Sequence, residues 1–300
     1  MKKGLESFFG LALFSVAAAA FAQTNFDSVQ IVTTPLGHGL AMLAGAGGNV
    51  VVSAGDDGVI LVDDQFDPLH DKLKAAIAKL SNKPLRFVLN THWHGDHTGG
   101  NLKFAADGAV VIAQDNVYQR MSTEQFIKHL QRTVPPSPKA ALPVVTFNDR
   151  ATLHLNGETI HLIHVKNAHT DGDVLVHFPA ADVLHMGDCF FNGMYPILDI
   201  GTGGTIDGYI AAVEEGLRLA GPATKIVPGH GILGTRGELE AFGEMLKQAR
   251  ERVARLKAEG NSVEDVVAAR PTASLDPKWG NGFVKADAFV RTVYETLPSK

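Results

Sequence analysis

Apolar residues recur along this chain with two different periods, and the switching between them sets the order of the elements. Short apolar runs at 29–32, 40–43, 49–52 and 58–62, separated by glycine-bearing turns, read as strands. Leu69, Leu73, Ile77 and Leu80 then form one stripe and predict an amphipathic helix over 68–80, followed by a buried strand at 85–89. This strand–helix–strand order is a βαβ unit. A second unit follows, with a strand at 109–113 and a helix through 116–120. Periodicity is lost over 121–143, where three prolines cluster, so an irregular surface excursion is expected. Strands resume at 144–147, 151–155 and 159–165, the last two split by the hairpin signal Asn156-Gly157, and continue at 173–178 and 183–186. A helix at 206–219, a strand at 225–227, a long helix at 236–260 and helices at 262–269 and 283–296 complete the chain. The expected class is α/β.

Composition narrows the partners. The chain has 300 residues, 45% of them hydrophobic, and a formal net charge of -5. That is enough apolar material for one large core, and the absence of a basic stripe argues against nucleic acid or an anionic membrane as the main partner. A small-molecule substrate is the expected partner. The first residues, Met1-Lys2-Lys3, precede an apolar run over 8–20 and the small-x-small site Ala20-Phe21-Ala22. This pattern reads as a secretory signal cleaved after Ala22, too short to span a bilayer, which leaves a mature domain of residues 23–300 that is periplasmic or secreted. The single cysteine, Cys189, permits no intrachain disulfide, so stability must come from the core.

The candidate chemistry is concentrated in Thr91-His92-Trp93-His94-Gly95-Asp96-His97-Thr98, directly after the strand at 85–89. In an extended segment His92 and His94 point to the same side and can share one metal. Gly95 is expected to let the backbone turn sharply and swing Asp96 and His97 toward a second position. Further along, His169, Asp188 and His230 each lie in a polar loop after an apolar strand. The glycine-rich piece 45–48 is a tight turn and not a phosphate loop, because no Lys-Ser/Thr pair and helix follow it. No Gly-x-Ser-x-Gly elbow is present. Several of the remaining histidines lie within strands and are expected to be partly buried, hydrogen-bonded rings.

The His-x-His-x-Asp-His stretch and its downstream companions, from about residue 49 to 230, resemble the metallo-β-lactamase superfamily. The resemblance implies a four-layer αβ/βα sandwich with a metal site at one edge of two facing sheets. It implies two zinc ions: one on His92, His94 and His169, the other on Asp96, His97 and His230, with Asp188 bridging them. A metal-bridging hydroxide would then cleave an amide or ester bond, in a β-lactam- or lactone-like substrate, with Asp96 orienting it or taking its proton. Hydrolysis of a thioester, phosphate ester or sulfate ester, or an iron-dependent sulfur dioxygenase reaction, are the alternatives on the same fold. Asp63 sits where the superfamily places a carboxylate that braces the histidine loop, though an ordinary turn carboxylate would look the same. Cys189 lies one position past the expected ligand, so Asp188 is preferred as ligand and Cys189 as its buried neighbour. Asn192 and Tyr195, in the loop over 190–205, are candidate contacts to a substrate carbonyl.

Overall fold

The computed structural model describes residues 25–298; the expected signal over 1–22 lies outside the described residues. Fourteen strands appear among the described residues. They are β1 Val32–Gly37, β2 Leu40–Ala44, β3 Val50–Gly55, β4 Gly58–Val62, β5 Leu85–Leu89, β6 Val110–Gln114, β7 Gln125–Ile127, β8 Arg132–Val134, β9 Val145–Phe147, β10 Arg150–Leu155, β11 Glu158–His164, β12 Val174–Phe178, β13 Val183–His185 and β14 Lys225–Val227. The helices are α1 His70–Ala78, α2 Gly95–Thr98, α3 Asn101–Ala106, α4 Asp115–Ser122, α5 Ile206–Leu219, α6 Arg236–Ala258, α7 Val263–Ala268, α8 Asp276–Trp279 and α9 Ala286–Thr296.

Two sheets carry the fold. The first has the order β1-β2-β3-β4-β5-β6-β9 and the second β10-β11-β12-β13-β14, with β7 and β8 forming a separate hairpin. Strands β4, β5, β6 and β9 run parallel, as do β13 and β14; the other pairs are antiparallel. Side chains in a strand alternate between faces, and the central strands are apolar on both. Ile60 and Val62 of β4 point into the space between the sheets together with Val174, Val176 and Phe178 of β12. Val59 and Leu61 point outward, against Leu73 and Ile77 of α1 and Phe104 of α3. On the far side Leu175, Leu184 and Ile226 face α5, α6 and α9 through Tyr209, Phe242 and Phe289. Helix, sheet, sheet, helix is the four-layer arrangement that the resemblance implied. Among the described residues no helix is long and apolar enough to cross a membrane.

The departures from expectation have local causes. The first strand begins at Val32 and not at 29, and runs through Pro35 with a register shift before Gly37. It is the edge strand of its sheet, the place where a proline's missing N–H is tolerated. Residues 121–143 are not wholly irregular, since they hold the β7–β8 hairpin, whose three-residue strands are too short to show a period. Helix α6 is fixed at its start by a reciprocal cap between Thr235 and Glu238 and ends at Ala258.

Candidate metal centre

Every chemistry-bearing side chain sits at the carboxyl ends of strands along one edge of the sandwich. Residue 63 follows β4, the 90–98 stretch follows β5, 187–189 follows β13 and 228–230 follows β14, while His169 lies in the turn that leads into β12. This is where ligand sites form in sheets with parallel strands.

Two sets of donors result. One atom each of His92, His94, His169 and Asp188 lie within 4.8 Å of one another, and so do one atom each of Asp96, His97 and His230. Asp188 stands between the sets. Its Oδ2 is 3.8 Å from His92 Nε2 and 3.5 Å from His169 Nε2, while its Oδ1 is 3.0 Å from His97 Nε2 and 3.4 Å from His230 Nε2. Asp96 Oδ2 lies 3.3 Å from His230 Nε2 and 3.7 Å from His97 Nε2.

The rings are aimed from behind. His97 Nδ1 donates to Asp63 Oδ2 at 2.7 Å, and Asp63 also accepts from the backbone N–H and hydroxyl of Thr91, each at 2.7 Å. Asp63 therefore braces the loop and is not a free turn carboxylate. His92 Nδ1 lies 3.1 Å from Thr91 Oγ1, and His169 Nδ1 donates to the Ile197 carbonyl at 2.8 Å. His94 is held by Asp199, which accepts from its Nε2 at 3.0 Å and turns Nδ1 toward His169. Each of these four rings has one nitrogen tied to an oxygen and the other facing the centre, the arrangement that fixes the tautomer of metal-bound imidazole. Nε2 of His92, Nε2 of His97 and Oδ1 of Asp188 are buried without a hydrogen-bond partner. Buried polar atoms are rarely left so, and a cation between them would satisfy all three. Three imidazole nitrogens with a carboxylate suit zinc, so the residues fit the group that the resemblance implied.

Protonation follows position. Burial lowers His92 well below the usual imidazole range and holds His169 at about 4. Burial works the same way on His97 and His230, but the carboxylates outweigh it: Asp188, Asp96 and Asp63 raise His97 well, and Asp188 and Asp96 raise His230 to about 9. Asp188 is pushed up by burial yet held well below the carboxylate range by His230, His97 and His92.

Glycine matters where backbone must approach this edge. A Cβ on Gly48 would overlap the His97 ring, and one on Gly229 would overlap Asp188 Oδ1. The 45–48 turn thus lies against the centre, with Gly48 N–H donating to the Asp96 carbonyl at 3.1 Å. Gly95 differs from expectation: a Cβ there would meet nothing within 4 Å, and its φ lies outside the left-handed region. Asp96 and His97 are swung round by the single helical turn α2, capped by His94, and glycine is not what the turn requires.

Two other expectations change. Tyr195 is fully buried, stacks on Phe289 at 4.4 Å and donates its hydroxyl to Asp276 at 2.8 Å, so it supports the C-terminal helices and does not face a substrate. The alternating polarity of its loop could not reveal this, because its partners come from residues eighty or more positions later. Asn192 donates to the Ile232 carbonyl at 3.1 Å and so pins the segment that follows His230. Cys189 is buried outside both donor sets, and burial pushes its thiol well up. Asp173 accepts from the N–H and hydroxyl of Thr170 and forms the His169 turn, while His185 donates to the Asn49 carbonyl at 3.0 Å, a structural role.

Asp199 was the residue that sequence reasoning missed. It is 1% exposed within Ile197-Leu198-Asp199-Ile200, and a lone carboxylate in an apolar run is the signal that could have found it.

Residues 43–230 match the family model described as the metallo-beta-lactamase superfamily. The chain is 27% identical over 141 residues to the 2,4-dinitroanisole O-demethylase subunit alpha of a Nocardioides strain, covering 46% of this chain and 40% of that protein. It is 29% identical over 115 residues to a hydroxyacylglutathione hydrolase of Erythrobacter litoralis, covering 38% of each, so the chain spans about two fifths of these curated relatives. To the metallo-beta-lactamase type 2 of Bacillus cereus it is 25% identical over 195 residues, 63% of this chain and 69% of that one. Among solved structures, the metallo-beta-lactamase from Pontibacter korlensis aligns with a TM-score of 0.59 at 19% identity, covering 73% of this chain and 99% of that one. The sec-alkylsulfatase Pisa1 from a Pseudomonas species aligns with a TM-score of 0.68 at 16% identity, covering 88% of this chain and 50% of that one. With more than half of its length matched by the family model, the chain belongs to the metallo-beta-lactamase superfamily.

Proposed function

We propose that this protein is a hydrolase that holds two zinc ions and cleaves an amide or ester bond in a small molecule, a lactone- or β-lactam-like substrate foremost. The observation that carries the reading is Asp188, whose two oxygens face different donor sets, Oδ2 toward His92 and His169 and Oδ1 toward His97 and His230. Zinc ions bound there would polarise the substrate carbonyl and lower the pKa of a bound water toward about 7.

The chain's own groups supply the rest. His92, His94, His97 and His169 each turn one nitrogen toward the centre because the other is tied back. Asp96 is the most exposed carboxylate of the centre, with its side chain 24% exposed, and we assign it to orient an attacking water or to receive its proton. The His97 and His230 rings beside Asp96 Oδ2 hold its carboxyl well below the usual range despite burial, so it is ionised and suited to orienting the water. We further assign residues 1–22 to an export signal, which places the mature enzyme in the periplasm or outside the cell.

A second reading, hydrolysis of a thioester, draws on the relatives named hydroxyacylglutathione hydrolase. Asp96→Ala in the zinc-loaded protein tests the assignment. Turnover of a lactone, ester and thioester panel should be lost while the circular dichroism spectrum is kept, since the side chain reaches the surface and supports no core contact. Near wild-type hydrolysis by the variant would sink it.

A further inference from the structure

Beside His230 one wall of the rim of the centre is aromatic. Phe191 is fully buried and stacks on the His230 ring at 5.0 Å, and its ring lies 6.2 Å from that of His169. Phe283 approaches the same wall from the segment between α8 and α9, 5.5 Å from His230 and 6.0 Å from Phe191. Unlike its neighbour Val284, which packs against the core, Phe283 is 60% exposed, and Ile232, two residues past His230, is 74% exposed. Large apolar side chains left in water next to a polar centre mark a binding surface.

Charge points the same way. The stretches 44–49, 90–98, 167–173, 187–199 and 228–234, which build the centre, contain neither Lys nor Arg. Of the basic groups on flanking segments, Arg120 is committed to Asp171 at 2.6 Å, Lys128 to Glu295 at 2.7 Å and Lys285 to the Gly282 carbonyl at 2.8 Å. A substrate carboxylate, phosphate or sulfate remote from the reacting bond would find no Lys or Arg side chain in these stretches.

Resting on the hydrolase reading above, we infer that the group the substrate carries next to its scissile bond is apolar and uncharged, an alkyl or aryl chain, and that Phe283 and Ile232 are its specificity-determining contacts. Burial of each methylene against this wall should tighten binding roughly threefold.

The test uses the zinc-loaded full chain and the neutral 2-alkanones from butanone to nonanone, which have no hydrolysable bond, titrated by calorimetry. Affinity should climb with chain length in the wild type. In Phe283→Ala and in Ile232→Ser the climb should flatten, with nonanone weakened on the order of tenfold and butanone unchanged. Alongside, p-nitrophenyl butyrate should be hydrolysed in preference to p-nitrophenyl hemisuccinate, which differs by a terminal carboxylate. A flat chain-length series in the wild type, an equal slope in both variants, preference for the hemisuccinate, or a change only of oligomeric state on Phe283→Ala would each overturn the inference. A steep series in a protein that hydrolyses no ester would uphold the apolar site and overturn the hydrolase reading instead.

Discussion

Replacing Asp199 with Ala removes the oxygen that receives both His94 Nε2–H, at 3.0 Å, and Thr202 Oγ1–H, at 2.8 Å. Burial alone would push this carboxyl up, yet the hydrogen bond and charge of His94 and the Thr202 hydroxyl hold it at about 2, so it is ionised throughout the physiological range. The loss has two parts. A buried donor left without an acceptor costs about 1–3 kcal/mol. An outer carboxylate behind a metal-bound imidazole is worth about 10–100-fold in metal affinity, which is ~1.4–2.7 kcal/mol, so the two routes to the magnitude agree. The chain of contacts extends to Trp93, whose indole N–H donates to Thr202 at 3.3 Å, and the tryptophan emission should report the disturbance. The assay is competition for zinc against a chromophoric chelator. Asp199→Ala should weaken the site that His94 serves about 10–100-fold, while Asp199→Asn, which keeps an acceptor but loses the charge, should fall between. Zinc affinity in Asp199→Ala indistinguishable from wild type would refute the reasoning.

Gly48→Ala should cost the protein its second zinc equivalent and keep the first, because the new Cβ displaces His97, whereas Gly95→Ala should bind both; elemental analysis of the two variants reads the contrast. With His230 raised to about 9 by Asp188 and Asp96 against burial, the ring is protonated at neutral pH in the metal-free protein. Its contribution to metal-free stability is then fully present below the ordinary imidazole value and lost as pH rises through about 9. Zinc uptake at neutral pH should correspondingly expel protons and strengthen up to about that pH, as calorimetry in two buffers of different ionisation heat will show; uptake without proton release would contradict it. The buried thiol of Cys189 should be inert to an aromatic disulfide reagent in the folded protein and react fully in denaturant; prompt reaction of the native protein would place it at an accessible site.

Much of this was legible because the relevant signals are local. Strand β4 is apolar on both faces and stands out as an unbroken run, β5 and β12 stand out as runs broken only by Arg86 and His177, and α5 and β14 begin and end where their patterns do. The His92 to His97 stretch carries its donors within six residues, and Asp63 was legible as a candidate brace. What was not legible depends on pairings distant in sequence. Nothing near Tyr195 announces Phe289 or Asp276, and nothing near Asp199 announces His94, 105 positions earlier. The β7–β8 hairpin and α2 are too short to carry a period, so the local reason for the turn at residue 95 was assigned to glycine when a helical turn supplies it.

The central claim is that Asp188 joins two donor sets into one dinuclear centre. Metal content of the purified protein, measured by elemental analysis, tests it most directly. Two zinc ions per chain, falling below two in Asp188→Ala, is the result expected. A single iron per chain in the wild type would contradict the account and move the protein to redox chemistry on the same fold.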